Sequence, residues 1–147
     1  MGLFDGLSIS ASGLTANRLW MDVTANNIAN ANTTRTPQGG PYRDEEVVFS
    51  PAGGSAFGQA LSQAMGGQPP GAGVQVQSIV QDPAPFKLVY DPTNPDAVNG
   101  YVQMPNVNIT TEMLNMVTAS RAYQANVTAF DAAKTMDVQS IDLGKGV

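Results

Sequence analysis

From Leu7 to about Ala31 the apolar residues Leu7, Leu14, Met21 and Ile28 recur every seven positions, with Ala11 and Ala25 at the four-residue offset. That spacing predicts a helix with a coiled-coil-like seam. Arg18 occupies the remaining offset position, and Leu19, Trp20 and Val23 widen the apolar surface beyond one stripe. A helix with so few charges is expected to be covered nearly all round. Helical patterning returns at Ile109 and runs to about Leu143. Ile109, Met116, Tyr123 and Phe130 share one heptad position, Met113, Val127 and Ile141 a second, and Ala122, Ala129 and Met136 lie beside them. Asn108 or Thr110 can cap its start and Gly144 can stop it.

Between the two helices the period changes. Glu46 to Phe49, Val74 to Val80, Phe86 to Tyr90 and Tyr101 to Met104 read as short strands, and Asn99-Gly100 as a tight turn before the last of them. Asn32 to Pro41 carries the Pro and paired Gly that end the first helix. Ser50 to Gly73, rich in Gly, Pro, Ala and Gln, reads as a mobile loop with one helical turn around Phe57 to Met65. The expected fold is therefore α+β: long N- and C-terminal helices packed as a coiled-coil-like pair, with a small β-rich middle domain. Residues 1–36 form an N-terminal helical assembly segment, 37–107 the β-rich middle with its loop at 50–73, and 108–147 a C-terminal helical assembly segment. A first helix of about 25 residues spans roughly 37 Å and can be covered along its whole length by the second.

Composition sharpens this. Charged residues make up 13% of the chain, against about 25% for an average soluble domain, while 42% are hydrophobic. Asn, Gln, Ser and Thr take the place of the missing charge, so the surface can be buried against a partner without stripping water from ions. The same residues weaken the first helix: Gly13, Asn17, Thr24, Asn26, Asn27 and Asn30 each cost roughly 0.5–1 kcal/mol relative to Ala. Alone in water it is marginal, and the ends are expected to order through packing. A net charge of −5, with seven scattered Lys and Arg, excludes a phosphate-neutralising nucleic-acid binder. No run of 18 apolar residues predicts a stable membrane insertion, and the first ten residues lack a basic start.

The absence of Cys and His removes thiol, disulfide, zinc-thiolate and histidine acid–base chemistry. Asp44, Glu45 and Glu46 form the one acidic cluster, and it reads as a solvated strand edge or turn; nothing else supplies the cleft that a carboxylate pair needs. Ser140 and Lys145 have no third group to orient them. No catalytic, cofactor or metal residues are assigned, and the chain is expected not to be an enzyme and to use no cofactor.

Ala25-Asn26-Asn27-Ile28-Ala29-Asn30-Ala31-Asn32-Thr33 resembles the signature of the flagellar rod, hook and hook-associated protein family, and Ser12 to Asn17 with Met21 to Val23 resembles that family's opening helix. Ala25, Asn26, Asn27 and Asn30 carry the motif. Pro41-Tyr42-Arg43, Val47-Val48-Phe49, Lys87 to Pro92, Asn94-Pro95, Asn99 to Val102 and Met104 to Val107 resemble the family's proximal rod branch. Glu112-Met113, Ala119 to Asn126 and Lys134-Thr135-Met136 resemble its C-terminal helix. The resemblance implies a structural subunit of the proximal rod of the bacterial flagellar basal body, outside the cytoplasmic membrane. Such a subunit is exported unfolded by the flagellar type III apparatus and polymerises with copies of itself and other rod proteins into a helical, torque-transmitting tube.

The assembly interface is then expected at Leu7, Leu14, Met21, Ile28, Met113, Met116, Tyr123, Val127 and Phe130. The helices of one chain pair with each other, antiparallel if the resemblance holds. The family's export-gate pattern, Phe with an apolar residue four positions on, is met by Phe57 with Leu61 and by Phe86 with Tyr90, and Phe57 with Leu61 is taken as the candidate. Three alternatives stay open: another axial rod subunit, a secreted peptidoglycan-acting enzyme, and a cytosolic secretion adaptor.

Overall fold

A computed structural model describes residues 5–52, 64 and 73–145. Helix α1 spans Asp5–Ala29. Strands β1 Glu45–Pro51, β2 Val74–Gln81, β3 Lys87–Tyr90 and β4 Tyr101–Met104 follow, and helix α2, Ile109–Lys145, closes the order. Strands β1 and β2 form one two-stranded sheet, β3 and β4 another. The fold is α+β, with two long terminal helices packed together and a small middle of antiparallel strands. The elements fall within a few residues of the expected ones. The helical turn expected around Phe57 to Met65 lies, apart from Ala64, outside the described residues.

Helix α2 starts where its cap dictates. The Asn108 carbonyl accepts the Glu112 N–H at 2.9 Å, and its side-chain Oδ1 accepts the Thr110 N–H at 3.1 Å. Asn108 is thus the N-cap. In β3 and β4 Lys87 pairs with Met104 and Tyr90 with Tyr101, antiparallel, so Val102 points inward at 2% exposure while Leu88, Tyr90 and Tyr101 share the outward face. Asn99 at φ 54° and Gly100 at φ 80° form the two-residue turn between Val98 and Tyr101, whose backbones exchange bonds of 2.9 and 3.1 Å. Positive φ at both central positions is the geometry that Asn-Gly supplies. Tyr90 packs edge-on against Tyr101, with ring centroids 5.3 Å apart. A Cβ on Gly100 would lie 3.0 Å from the Tyr90 ring, at a φ that other residues resist. Gly100→Ala is expected to cost about 1–2 kcal/mol in chemical denaturation.

The chain divides into two compact units. One comprises Met1–Arg18, Phe49–Gln77 and Ser120–Val147, the other Leu19–Val48 and Ser78–Ala119. In the first, Ala16 and Gly13 are buried on α1, and the Ser12 hydroxyl accepts the Val74 N–H at 3.1 Å while donating to the Ile9 carbonyl at 2.6 Å. The second holds most of the core: Val23, Ala31, Val47, Val102, Pro105, Val107 and Ala119, with polar Thr24, Asn27 and Glu112 buried among them.

Candidate assembly surface and its polar clamp

Three contacts fix how the helices meet. In the first unit a Cβ on Gly6 would lie 3.9 Å from Ala133 Cβ, and one on Gly13 would lie 2.8 Å from Asn126 Nδ2. In the second, Asn27 Nδ2 donates to Glu112 Oε2 at 2.9 Å. Within the first unit the α2 partner moves back by seven residues as the α1 residue moves forward by seven, so the two helices run antiparallel there. Ala119 on α2 is 0% exposed.

At these contacts between the helices, small and polar residues meet: Gly6 and Ala133, Gly13 and Asn126, Asn27 and Glu112. On α1 the buried positions are Gly13, Ala16, Val23, Thr24 and Asn27, while Leu7, Leu14, Met21 and Ile28 flank them half-buried. On α2, Met116, Tyr123 and Phe130 are half-buried. Glu112, Ala119, Asn126 and Ala133 share one heptad position, one residue before Met113 and Val127. Met113 at 56% exposure, Val127 at 37% and Ile141 at 54% stand exposed in the subunit. Periodicity scoring rewards large apolar residues, whereas close backbone approach selects small ones. Of the alanines beside the apolar stripes, Ala122 is half-buried and Ala11, Ala25 and Ala129 are exposed.

Within the second unit Asn27 is 1% exposed and uses all of its hydrogen-bonding capacity. Its amide donates to the Glu45 carbonyl at 2.8 Å and to Glu112; its oxygen accepts the Tyr42 hydroxyl at 2.9 Å and the Glu45 N–H at 3.1 Å. The other oxygen of Glu112 accepts from Asn115 at 2.8 Å. One side chain thereby ties α1 to β1, to the segment before it and to α2. Burial first, then the carboxylates of Glu45, Asp44 and Glu112, push the Tyr42 hydroxyl up to about 12, so it remains a neutral donor. Arg43 donates to the carbonyls of Asp82 at 2.8 Å and Ala84 at 3.1 Å, with its guanidinium 4.3 Å above the Phe86 ring. Asn106 accepts the Asp44 N–H at 2.9 Å. These are the residues of the Pro41-Tyr42-Arg43 and Met104 to Val107 segments, and the clamp is the reason for their chemistry.

The four residues of the Asn-rich motif separate by role. Asn27 is the hub. Asn30 works locally, donating to the Asn26 carbonyl at 3.0 Å and accepting from the Thr33 hydroxyl at 3.1 Å, which closes the helix end. Ala25 and the Asn26 side chain are exposed. Glu112 stands out in the sequence only through the family resemblance, and its buried bond to Asn27 is not legible there because a lone acid in the first turn of a helix usually serves the helix dipole. Phe57 and Leu61 lie outside the described residues.

Outside the seam, α2 presents Met113, Leu114, Val117, Met136, Val138 and Leu143 at 49–78% exposure. A groove of about 640 Å³ in the second unit is lined in part by Arg35, Leu88, Asp96, Val98 and Tyr101. Asp96, the carboxylate in its wall, is engaged by the Thr34 hydroxyl at 2.8 Å and by Arg35 at 3.8 Å. Among the described residues no group of His, Cys, Asp and Glu is arranged to hold a metal, and no helix is long and apolar enough to cross a membrane.

Residues 7–35 match the family of flagella basal body rod proteins, and residues 98–143 match the C-terminal part of the flagellar basal body rod FlgEFG proteins. The chain is 45% identical to the flagellar basal-body rod protein FlgC of Borreliella burgdorferi, over 92% of this chain and 93% of that one. It is 45% identical to FlgC of Bacillus subtilis and 41% identical to FlgC of Salmonella typhimurium, in both cases over 99% of this chain and the whole of the relative. With both halves of the helix pair and the clamp segments between them inside these matches, the chain belongs to the FlgC family of flagellar basal-body rod proteins.

Proposed function

We propose that this protein is a non-enzymatic structural subunit of the proximal rod of the flagellar basal body. It travels through the flagellar type III export gate and then polymerises with its own copies and other rod proteins into a helical tube. The observation that carries this reading is the inverted dressing of the helix pair. Small and polar residues, Gly13, Asn27, Glu112 and Asn126, occupy the seam, while Met113, Leu114 and Val117 stand outside it. An isolated subunit has its apolar surface on the wrong side. Neighbouring subunits in a tube wall cover it, each large side chain contributing about 1 kcal/mol or more as its exposed part is buried. Contacts of this heterologous kind repeat without closing and give a filament. Identity over nearly the full length to proteins of one name favours this subunit over another axial one.

Leu114→Glu and Val117→Glu test the reading. Both positions are exposed in the subunit, at 66% and 49%, so monomer stability should change by less than about 0.5 kcal/mol. In a tube wall the same substitutions bury an unpaired charge, and rod incorporation and swimming should be lost. Normal incorporation of both variants would refute the assembly surface. Release of peptidoglycan fragments by the purified protein would instead favour the wall-acting alternative.

A further inference from the structure

The clamp holds one polar atom that it does not satisfy. Asp44 Oδ1 is buried and has no hydrogen-bond partner. Its main chain is fixed on both sides, the N–H by Asn106 at 2.9 Å and the carbonyl by the Asp82 N–H at 2.8 Å, which holds the residue in place just before β1. Repulsion from Glu112 on α2, Asp82 just after β2 and Glu46 on β1 opposes ionisation of this carboxyl group, a hydrogen bond from the Glu45 backbone favours it, and the nearby Tyr42 hydroxyl stays neutral. Both Glu112 oxygens already accept amide hydrogens, from Asn27 and Asn115. The adjacent cation, Arg43, is committed to the Asp82 and Ala84 carbonyls and to the Phe86 ring. Among the described residues these acids do not form a metal-binding group. A proton is the ligand that fits.

We infer that Asp44 is a proton-operated switch in the clamp that joins α1, β1 and α2, tightening the clamp in mildly acidic surroundings and loosening it at neutral pH. A neutral carboxyl group removes the repulsion from Glu112 and Asp82; an ionised one, held by the Glu45 backbone, sets a part-buried charge against them with its Oδ1 unpartnered. Burial, then Glu112 and Asp82, push the Asp44 carboxyl from 3.8 up to about 6 in the folded chain. The folded state therefore takes up the proton first. The gain is complete near pH 4, where the unfolded chain also protonates, and is lost as pH rises through about 6.

The test is thermal unfolding of the purified full-length protein at pH 5 and pH 7, for wild type, Asp44→Asn and Asp82→Asn. Asn is close to the shape of the neutral carboxyl group and cannot titrate. Asp44→Asn should raise Tm at pH 7 by about 2–4 °C and should lack the rise that wild type shows between pH 7 and pH 5. Asp82→Asn removes one repelling charge and should move the window to lower pH. An Asp44→Asn protein with the wild-type pH dependence, or one less stable at pH 7, would overturn the inference. If Asp44→Asn does not fold, the Asp82→Asn arm decides: an unmoved window overturns the switch, and a window displaced downward supports it.

Discussion

Asn27→Ala is expected to destabilise the second unit by about 3–5 kcal/mol, read as a lower denaturant midpoint and faster amide exchange at Glu45 and Glu112. The size follows from what the truncation strands. Glu112, 5% exposed, loses the donor on one carboxylate oxygen, and Glu45 loses partners for both its N–H and its carbonyl. Tyr42, half-buried, loses the acceptor of its hydroxyl. Net stabilities of domains are about 5–15 kcal/mol, so the loss removes a large share of the total. Asn27→Asp separates hydrogen bonding from packing. It keeps the volume but replaces two donors with acceptors, setting a carboxylate against Glu112 and the Glu45 carbonyl. It should be worse than Ala at pH 7 and recover in part as pH falls and a carboxyl proton returns. If Asn27→Ala were within 1 kcal/mol of wild type, the clamp would not hold the unit together.

Gly13→Leu is the second large effect, with an expected loss of about 3 kcal/mol or more and of the helix pairing in the first unit. A bare Cβ already lies 2.8 Å from Nδ2, 3.0 Å from Cγ and 3.1 Å from Oδ1 of Asn126, so the whole amide must give way. For Gly13→Ala two terms oppose each other. Helix propensity gains about 1 kcal/mol, while overpacking costs about 1–3 kcal/mol, so a small net loss is expected. Asn126→Ala vacates the space and should make Gly13→Ala neutral or stabilising. A double-mutant cycle should show a coupling of about 1–2 kcal/mol between the two sites. No coupling would place the helices in another register.

Much of this was legible in the chain. Both helices were readable because each carries more than three heptads of apolar periodicity, and the strands because the period changes between Pro41 and Asn108. The Asn99-Gly100 turn was readable because few dipeptides accept two successive positive φ values. The antiparallel register was not. Gly13, Ala16, Ala119 and Ala133 carry almost no side chain to announce a seam, and only the approach of two backbones makes smallness meaningful. Asp44, Glu45 and Glu46, read as a solvated edge, diverge for the same reason. Glu45 lends its backbone to Asn27, Glu46 stays exposed, and Asp44 is drawn in among Glu112 and Asp82 by strand pairing. The Asn-rich motif was visible as a motif, but not that Asn27 alone reaches Glu45 and Glu112. Local pattern determines which stretches become helix or strand, because propensity and periodicity act over a few residues. Which polar groups are buried together is decided by tertiary contact between positions as far apart as Asn27 and Glu112, because a buried amide is stable only where its partners converge.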